Sequence, residues 1–580
     1  MAKPILIVAS SDDKDGIAAI VAGFREKLGE TPDFDIVEDK KITGGFIAIV
    51  NGRVYDASFA SRLNELSESL TQETGDELGS DFGTVGEVLK QRAAKASAEP
   101  RIYNYGEVTS CADGIVHISG LAGCRYGELL DFDGGAIALT LDLDINGVGA
   151  ALLDGSVTTS SVVHQTGRVA EICVGNELLG RVVDPLGRPL DGMPLHTSKT
   201  RPVESAAPTI MQRSAVDTPL ETGILAVDSM IPIGRGQREL IIGDRQTGKT
   251  SIALQTIINQ RMKNVICVYC AIGQKSSTIS QFVKTLRDNH ALANTVVVAA
   301  AGSSTAAMQY IAPNAACAVA EEFMYDGRDV LIVYDDLSKH AVAYRQMSLL
   351  LRRPSGREAY PGDVFYLHSR LLERAARLSP ALGGGSLTAL PIVETQAGDI
   401  SAYIPTNIIS ITDGQIYLET EMFSAGQRPA VNVGLSVSRV GRAAQHRAMR
   451  AVSGTLRLEV AQYRDMAVFA QFGADIDNAT ANMLRSGERL MELLRQSDHT
   501  TFSLSEQVCL LLATAHGVFD NCTRREVDAA RARLLQYLDE NAAYILQSID
   551  STNELSDFDR TDIKTHFDRF MTLEADKAGA

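Results

Sequence analysis

The 580-residue chain has no long apolar run, and no stretch approaches the roughly 18 residues that a membrane-spanning helix needs. Its first residues, Met1 to Val8, lack the long apolar core and the small-residue cleavage site of a signal peptide. These absences predict a cytoplasmic protein with no direct membrane span.

Positive charge is also scarce, because 55 Lys and Arg face 72 Asp and Glu and leave a formal net charge of −17. This balance argues against a chain that wraps nucleic acid or lies on an anionic membrane, and it suits a chain that meets basic partners. The remaining composition, 45% apolar and 22% charged, is typical of globular proteins. A chain of this length is expected to contain about three or four domains.

Cysteine is sparse and scattered. Of the eight cysteines, only Cys267 and Cys270 lie close together, with the C-x-x-C spacing of some metal and redox sites. They fall in an apolar run that predicts a strand, and residues three apart on a strand point to opposite faces. We therefore interpret both as small buried hydrophobic residues rather than as zinc ligands or a redox pair.

The chain does contain a phosphate-binding loop of the form G-x-x-x-x-G-K-T. A short apolar run before the loop predicts a buried strand, and the residues after it have helical spacing. Glycines let the backbone turn tightly and point its N–H groups at phosphate oxygens, beside the N-terminus of the helix. The predicted nucleotide-binding residues of the loop are Gly243, Asp244, Arg245, Gln246, Thr247, Gly248, Lys249 and Thr250.

Three side chains have specific expected roles at the phosphates. Lys249 can reach the β- and γ-phosphates, and Thr250 can place its hydroxyl on a magnesium ion. The apolar run Val330 to Val333 leads to Tyr334 and Asp335, which is the form of a second magnesium-site motif. Asp335 is predicted to hold that ion directly or through water. The expected ligands are ATP or ADP with Mg²⁺.

The N-terminal third of the sequence divides into three parts. Residues 1–73 predict a small α/β binding or docking domain, with a hairpin turn at Asn51-Gly52 and a helix around Ala60 to Leu70. Residues 74–100 predict a linker and a short helix, Val85 to Lys95. Residues 101–168 show short strands punctuated by turn signals, which predict a small antiparallel β-barrel.

Five barrel strands are expected, at Gly106–Cys111, Ile115–Ser119, Glu128–Phe132, Ala136–Leu143 and Gly147–Leu153. Small barrels often bind oligonucleotides, but Lys and Arg are nearly absent from this stretch and aromatic residues are few. A structural collar is the favoured interpretation. Residues 169–445 alternate strand and helix, which is typical of a mostly parallel sheet. Residues 446–580 lack a strand pattern and predict a helical bundle.

Several stretches carry a specific resemblance. They are residues 243–250, Ala271–Lys275, Tyr334–Lys339, Pro361–Arg370 and Pro429–Gly441. From about residue 82 to about residue 550 the chain resembles the alpha subunits of F-type ATP synthases. The resemblance implies a β-barrel crown, a P-loop, RecA-like nucleotide domain and a C-terminal helical domain. It also implies a hexameric ring of alternating alpha and beta subunits around a rotating gamma shaft, located peripherally at the cytoplasmic face of the bacterial inner membrane.

The resemblance also separates binding from catalysis. Hydrolysis needs a group that orients or deprotonates the attacking water. The catalytic beta subunit carries a glutamate at the end of the strand that follows the loop helix, and this chain has Gln274 there. Because a neutral amide cannot accept a proton, we expect this chain's own site to bind Mg-ATP and barely turn it over. The alternative is that Gln274 positions water, as a glutamine does in some GTPases.

Other residue roles follow from the same resemblance. Arg439 is implied to be an arginine finger for the neighbouring beta subunit's site, an effect worth roughly 10³–10⁵ in rate in comparable enzymes. Ser410 matches a position near the same catalytic phosphate, and Gln246 and Gln496 match nucleotide contacts.

Two residues depart from the family pattern. Arg442 replaces the small residue usual just after the finger loop's glycine, and it is expected to alter packing at the shared site. Asp498 stands where a second glutamine is common, and an acidic group there is expected to weaken or re-tune nucleotide binding.

The N-terminal piece carries a second, shorter resemblance. Residues 42–58 resemble the C-terminal part of the delta subunit of the same machine, where a Gly-Gly hairpin precedes an Asp-x-Ser sequence and a helix containing Arg62 and Leu63. This suggests a natural fusion in which residues 1–73 dock the b subunit of the peripheral stalk. The alternative is an unrelated small docking domain.

Two other functions share parts of this layout. A hexameric RNA-dependent ATPase or helicase needs a basic RNA path and a catalytic carboxylate, and the net charge of −17 and Gln274 count against it. A self-sufficient beta-like or secretion ATPase is disfavoured by Gln274. The favoured prediction is a multidomain α/β alpha subunit of a proton- or sodium-translocating ATP synthase.

Overall fold

The computed structural model describes most of the chain. The described ranges are residues 3–59, with short gaps at 12, 29–31, 40–41, 43 and 51–52, and then 101–144, 147–471, 478–498 and 500–579. Four predicted features lie outside these ranges: the Asn51-Gly52 turn, the helix around Ala60 to Leu70, the linker, and the helix Val85 to Lys95. No helix in the described ranges is both long enough and apolar enough to cross a membrane.

Within the described ranges, the N-terminal part contains ten strands and one helix. They are β1 (Ile5–Val8), α1 (Lys14–Leu28), β2 (Asp35–Glu38), β3 (Phe46–Val50), β4 (Arg53–Asp56), β5 (Arg101–Ala112), β6 (Ile115–Gly120), β7 (Glu128–Phe132), β8 (Ile137–Asp144), β9 (Gly147–Asp154) and β10 (Val162–Val169). The first four strands form a small sheet in the order β4-β3-β1-β2. Helix α1 covers this sheet by packing Phe24 edge-on against Phe46 and Tyr55, with ring centroids 6.2 and 5.0 Å apart. The N-terminal segment is thus a small α/β unit with its own apolar core.

This small sheet is continuous with the strands that follow it. Strand β4 pairs antiparallel with the start of β5, from Arg53 opposite Asn104 to Asp56 opposite Arg101. The later residues of β5, from Gly106 onward, pair with β6 instead. A single long strand therefore contributes to both units, and each unit covers a strand edge that would otherwise be unpaired.

Strands β5 to β10 form a closed antiparallel barrel in the order β5-β6-β9-β8-β7-β10, and pairing between β10 and β5 closes it. The predicted barrel is confirmed, but the sequence indicated only five of its six strands. The missed strand, β10, is interrupted by polar residues from His164 to Arg168, and its register with β7 shifts between Gln165 and Val169. Because β10 closes the barrel, tertiary pairing rather than its own alternation fixes it as a strand.

The next part of the chain is built around a mostly parallel sheet of eight strands. Its strands, with two short two-stranded sheets, are β11 (Glu171–Val174), β12 (Val182–Val183), β13 (Lys199–Pro202), β14 (Pro219–Leu220), β15 (Ile233–Gly234), β16 (Leu240–Gly243), β17 (Val265–Gln274), β18 (Thr295–Ala301), β19 (Asp329–Asp335), β20 (Ser386–Glu394), β21 (Gly414–Leu418) and β22 (Val437–Ser438). The large sheet has the order β12-β18-β17-β19-β20-β16-β21-β22. Every neighbouring pair is parallel except β21 and β22, which are antiparallel.

Helices cover both faces of this sheet, as expected when parallel strands alternate with helices. They are α2 (Leu225–Met230), α3 (Lys249–Gln260), α4 (Ser276–Asp288), α5 (Ala306–Tyr325), α6 (Leu337–Leu350), α7 (Val364–Leu372), α8 (Tyr403–Ile411) and α9 (Thr420–Ser424). Cys267 and Cys270 lie on β17 with 0% exposure, and their side chains belong to the apolar cores on opposite faces of the sheet. Their interpretation as buried hydrophobic residues is confirmed, and no cluster of metal-ligating side chains occurs among the described residues.

The C-terminal part is helical. Its helices are α10 (Arg447–Val452), α11 (Leu456–Gln471), α12 (Asn478–Leu493), α13 (Leu504–Ala515), α14 (Val527–Asn541), α15 (Ala543–Thr552) and α16 (Asp557–Gly579). Side chains such as Val508, Leu534 and Phe567 are fully buried where these helices meet. They belong to the same apolar cluster as one face of the parallel sheet, so the helical part packs directly against the nucleotide domain.

Candidate functional site

The phosphate-binding loop lies between β16 and α3, as the sequence predicts. Gly248 precedes the first turn of α3 with a φ of 92°, which is a left-handed conformation that glycine adopts without strain. The free backbone N–H groups at the start of α3 therefore face the cavity in front of the loop. Lys249 is 6% exposed, and its Nζ donates to the carbonyl of Gly243 over 2.9 Å. Burial lowers the pKa of Lys249, and nearby carboxylates, Glu394 first, oppose this shift.

Asp335 is the centre of a buried polar cluster beside the loop. Its Oδ2 accepts hydrogen bonds from the hydroxyls of Thr250 and Tyr269, each over 2.8 Å. Its Oδ1 accepts the side-chain amide of Gln274, also over 2.8 Å. Burial raises the pKa of Asp335, while these hydrogen bonds and nearby lysines oppose the rise. The structure thus brings three sequence-predicted residues, Thr250, Gln274 and Asp335, into direct contact.

The donor set around Asp335 fits a magnesium ion. No cationic side chain among the described residues forms an ion pair with this carboxylate, and all its hydrogen-bond donors are neutral. A buried carboxylate without a cationic partner is costly, so a bound cation is a natural complement. Thr250 and Asp335 supply the hydroxyl and carboxylate oxygens that Mg²⁺ prefers.

A cavity of about 310 Å³ opens in front of the loop. Its lining includes the predicted residues Gln246, Thr247, Gly248, Lys249, Thr250, Gln274, Asp335 and Gln496. The lining residues that were not predicted as contacts include Glu394, Phe423, Arg428 and Pro429. The guanidinium of Arg428 lies over the ring of Phe423, 4.8 Å from its centroid, and gives the cavity an apolar wall with a cation behind it. A lone Phe and a lone Arg carry no motif, so the sequence offered no signal for this wall.

Two loop residues point away from the cavity. Asp244 accepts hydrogen bonds from Thr395 over 2.6 Å and from Thr420 over 2.9 Å. Burial opposes ionisation of Asp244, yet these hydrogen bonds hold its pKa below the usual value. Arg245 is highly exposed, and its Nε donates to Glu394 over 2.9 Å. Both side chains brace the loop against neighbouring elements, namely the end of β20 and the start of α9, rather than lining the cavity.

Gln496 lines the cavity, but its side chain is already engaged. Its Nε2 donates to the carbonyl of Gly223 over 2.8 Å, and its Oε1 accepts the N–H of Leu225 over 3.2 Å. These bonds connect the C-terminal helical part to the start of α2 and the residues just before it, across more than 270 positions of sequence. Gln496 therefore holds the wall of the cavity in place, and Asp498, which is exposed, presents its carboxylate at the rim.

Arg439 lies near the amino ends of the parallel strands, far from the phosphate-binding loop at their carboxyl ends. The loop follows the carboxyl end of β16, whereas Arg439 follows β22 next to the amino end of β21. The Arg439 side chain is exposed, and its guanidinium forms no hydrogen bond or ion pair with any described residue. The residue is thus absent from the lining of this chain's own cavity and faces outward.

A buried carboxyl group lies behind Arg439. Glu239 is 0% exposed, and its Oε2 accepts the side-chain amide of Gln237 over 2.7 Å. Its Oε1 has no hydrogen-bond partner among the described residues. Burial raises the pKa of Glu239 well above its usual value; Asp413 adds to the rise, and the charge of Arg439 opposes it.

Ser410 lies in the last turn of α8, is exposed, and donates to the carbonyl of Thr406 over 2.9 Å. It does not contact the cavity in front of the loop. Arg442 is also exposed, and its Nη2 lies 3.5 Å from the carbonyl of Gly454 at the junction with the helical part. The arginine therefore reaches toward the helices rather than toward Arg439.

Comparison with known proteins assigns most of the chain. Residues 223–438 match the ATP synthase alpha/beta family, nucleotide-binding domain, and residues 445–570 match the ATP synthase alpha/beta chain, C terminal domain. An ATP synthase subunit alpha from Acetivibrio thermocellus is 55% identical over 476 residues, which cover 81% of this chain and 94% of that relative. The chain belongs to the ATP synthase alpha subunit family. The nucleotide-binding cavity described above is therefore that of an alpha-type subunit.

Two other relatives support the same family assignment. The ATP synthase subunit alpha of Caldanaerobacter subterraneus subsp. tengcongensis is 56% identical over 475 residues, covering 81% of this chain and 94% of the relative. That of Dehalococcoides mccartyi is 53% identical over 487 residues, covering 83% of this chain and 97% of the relative. Membership of this family leaves the RNA-dependent ATPase without support.

The N-terminal segment matches a different family. Residues 6–70 match the ATP synthase delta (OSCP) subunit family. We call residues 6–70 the delta-type segment and residues 101–579 the alpha-type body. The prediction that one chain joins the two is confirmed.

Proposed function

We propose that this chain binds Mg-ATP at a noncatalytic site and donates Arg439 to the catalytic site of a neighbouring beta subunit. The observation that carries the first half is the contact between Gln274 and Asp335. At the end of β17 the group that lines the cavity is the Gln274 amide, which donates to Asp335 over 2.8 Å. An amide in this position cannot take a proton from water, so the site lacks a general base there.

Magnesium would be held by the Thr250 hydroxyl and the Asp335 carboxylate, together with phosphate oxygens of the nucleotide. When bound, the ion neutralises phosphate charge and fixes the orientation of the phosphates. Lys249 would turn from the carbonyl of Gly243 toward the β- and γ-phosphates. The ring of Phe423 and the guanidinium of Arg428 would pack around the base.

The position of Arg439 supports the second half. An exposed guanidinium without a partner among the described residues is available to another subunit. Arg439 lies near the amino ends of the parallel strands, whereas this chain's own cavity lies at their carboxyl ends. The guanidinium would therefore serve a different nucleotide site. There it would stabilise charge that develops on the transferring phosphoryl group, and Ser410 would lie near the same phosphate.

The partners follow from this arrangement. The chain would alternate with beta subunits in a hexameric ring around a gamma shaft, within a complex that translocates protons or sodium ions. The complex would lie at the cytoplasmic face of the bacterial inner membrane. The delta-type segment would dock the b subunit of the peripheral stalk, and every copy of this chain in the ring would carry one such segment.

The test is Mg-ATP turnover by the purified chain, alone and then mixed with its beta partner. We expect no measurable turnover by the chain alone and robust turnover after mixing. Arg439→Ala should lower the turnover of the mixture by roughly 10³-fold or more, because the finger is lost. Robust turnover by the chain alone would contradict the role given to Gln274. Full turnover by the Arg439→Ala ring would contradict the role of Arg439.

A further inference from the structure

We infer that Arg238 is a positioning residue for Arg439 and acts through the carboxylate of Asp413. The inference rests on the proposed role of Arg439, and it identifies the group that fixes the backbone from which Arg439 projects. None of the family matches assigns a role to Arg238, and the residue lies outside the nucleotide cavity. It precedes β16 at the amino end, while the phosphate loop follows the carboxyl end of the same strand.

Arg238 binds Asp413 through two parallel side-chain hydrogen bonds. Its Nε donates to Oδ2 and its Nη2 donates to Oδ1, each over 2.9 Å. The backbone N–H of Arg238 donates to the same Oδ2 over 3.0 Å, and the N–H of Asp413 returns a hydrogen bond to the Arg238 carbonyl over 2.8 Å. Four hydrogen bonds therefore fix the position and orientation of Asp413. Bidentate guanidinium–carboxylate pairs of this kind combine strong binding with a defined geometry.

Asp413 in turn holds the backbone of Arg439. The N–H of Arg439 donates to the carbonyl of Asp413 over 2.7 Å. The next residues of the two segments, Gly414 and Ser438, pair in the short antiparallel ladder between β21 and β22. Because β22 has only two residues, this ladder is short. The hydrogen bond at its end adds to the restraint that Ser438 supplies by donating its hydroxyl to the Pro232 carbonyl over 2.7 Å. A shift of Asp413 would thus move the starting point of the Arg439 side chain.

Arg238 is itself held from a second side. Its Nη1 donates to Oε1 of Glu373, and Oε2 of Glu373 accepts a hydrogen bond from Arg213 over 3.0 Å. The Arg238 side chain is only 14% exposed. A lysine would keep the charge but could not make the forked contact to Asp413 and reach Glu373 as well. The contacts to Asp413 and Glu373 therefore require the planar geometry of the guanidinium and not only its positive charge.

The test uses the ring assembled from this chain and its beta partner. We expect Arg238→Lys to lower kcat for ATP hydrolysis by about 10- to 100-fold with little change in KM, as expected when a transition-state group is displaced by about 1 Å. Nucleotide affinity at the chain's own site, measured with a fluorescent ATP analogue, should stay unchanged. In the Arg439→Ala background, measured in single turnovers, Arg238→Lys should have less than about a twofold further effect, because coupled residues are not additive.

A matched control is available in the same chain. Arg181 binds Asp191 through the same fork, with Nε to Oδ2 at 2.6 Å and Nη2 to Oδ1 at 2.8 Å. Its side chain is 13% exposed, close to that of Arg238. Arg181→Lys removes the same kind of contact at a place that does not touch the Arg439 segment. It should leave kcat within about twofold, since the loss of one partly buried pair changes stability rather than the transition state.

The outcomes separate this inference from the proposed function. If Arg439→Ala retains full turnover, the proposed function is wrong. If Arg439→Ala abolishes turnover but Arg238→Lys keeps kcat within twofold, only the inference is wrong. The inference also fails if the two losses multiply in the double variant. If Arg238→Lys prevents ring assembly, Asp413→Asn provides the second test. If neither variant assembles while Arg181→Lys forms a normal ring, the role of Arg238 is not confined to positioning and the inference is wrong.

Discussion

Gln274 donates its side-chain amide to Oδ1 of Asp335 over 2.8 Å, at the carboxyl edge of the parallel sheet and beside the Thr250 hydroxyl. Strands β17 and β19 are direct neighbours, and their residues Ala271 and Asp335 are paired across the ladder. The two side chains therefore meet because their strands are adjacent, although the residues lie 61 positions apart. An amide in this position completes the shell of neutral donors around the carboxylate.

This contact predicts how Gln274→Glu changes metal dependence. A glutamate would place a second carboxylate beside Asp335, and the two negative charges repel each other without a cation. We expect nucleotide affinity to become more dependent on Mg²⁺, with the ratio of Kd values without and with Mg²⁺ rising by about tenfold. Titration with a fluorescent ATP analogue measures this ratio. Gln274→Ala is the control and should leave the ratio nearly unchanged; an equal rise for both variants would contradict the explanation.

A buried ion pair predicts a large loss of stability. Glu321 is 0% exposed, and its two oxygens accept Nε and Nη2 of Arg374 over 2.7 and 2.8 Å. Arg374→Met would leave a buried carboxylate without its main partner, which typically costs about 3–5 kcal/mol. Urea denaturation measures the free energy of unfolding. The exposed pair between Arg447 and Glu554 is the comparison, and Arg447→Met should cost under about 1 kcal/mol. Similar losses for the two variants would contradict the prediction.

A buried histidine predicts part of the dependence of stability on pH. His340 is 0% exposed, and burial lowers its pKa to about 4, against its hydrogen bond to the Tyr310 carbonyl. In the unfolded chain its pKa is near 6.5, so between pH 6.5 and 4 the unfolded state binds more protons than the folded state. Stability from this group is present above pH 6.5 and falls as pH decreases.

The corresponding experiment compares urea midpoints at several pH values between 7 and 5. His340→Gln keeps a donor for the Tyr310 carbonyl and removes the titration. We expect it to reduce the loss of stability by up to about 1.4 kcal/mol per pH unit. An unaltered slope for His340→Gln would show that the imidazole is not held neutral by burial.

The continuous ladder between β4 and β5 predicts that the delta-type segment stays attached without its covalent linker. A protease site can be inserted between residues 73 and 85 of the full chain and cleaved after purification. We expect the N-terminal fragment to elute with the alpha-type body in native buffer and to separate in denaturant. Separation in native buffer would mean that the four residue pairs of the ladder do not hold the segment.

The chain offers a matched pair of variants for this experiment. Neighbouring residues of an antiparallel strand direct their N–H groups to opposite sides, so only one of Ile102 and Tyr103 donates toward β4. Proline at that position removes a ladder hydrogen bond, whereas proline at the other does not. One of Ile102→Pro and Tyr103→Pro should release the cleaved fragment more readily than the other. Equal retention in both would contradict a role for these hydrogen bonds.

Local patterns were sufficient for features whose residues are contiguous. The phosphate loop was predictable because its strand, its glycines and the start of its helix follow one another directly. The two cysteines of β17 were assigned correctly because the period of a strand places them on opposite faces. The delta-type segment was indicated by a short run of matching residues, and the barrel by regularly spaced turns. In each case the backbone preferences of neighbouring residues decide the outcome.

The sequence by itself therefore determined the kinds of domain, the nucleotide loop and the identity of Gln274. The tertiary structure decided which distant residues meet: β10 as the strand that closes the barrel, Gln496 against Gly223, and Arg238 on Asp413. It also placed Arg439 near the amino ends of the parallel strands, away from this chain's own cavity at their carboxyl ends. The physical reason is that such contacts depend on strand order and on which surfaces become buried, and neither is encoded in the period of any single segment.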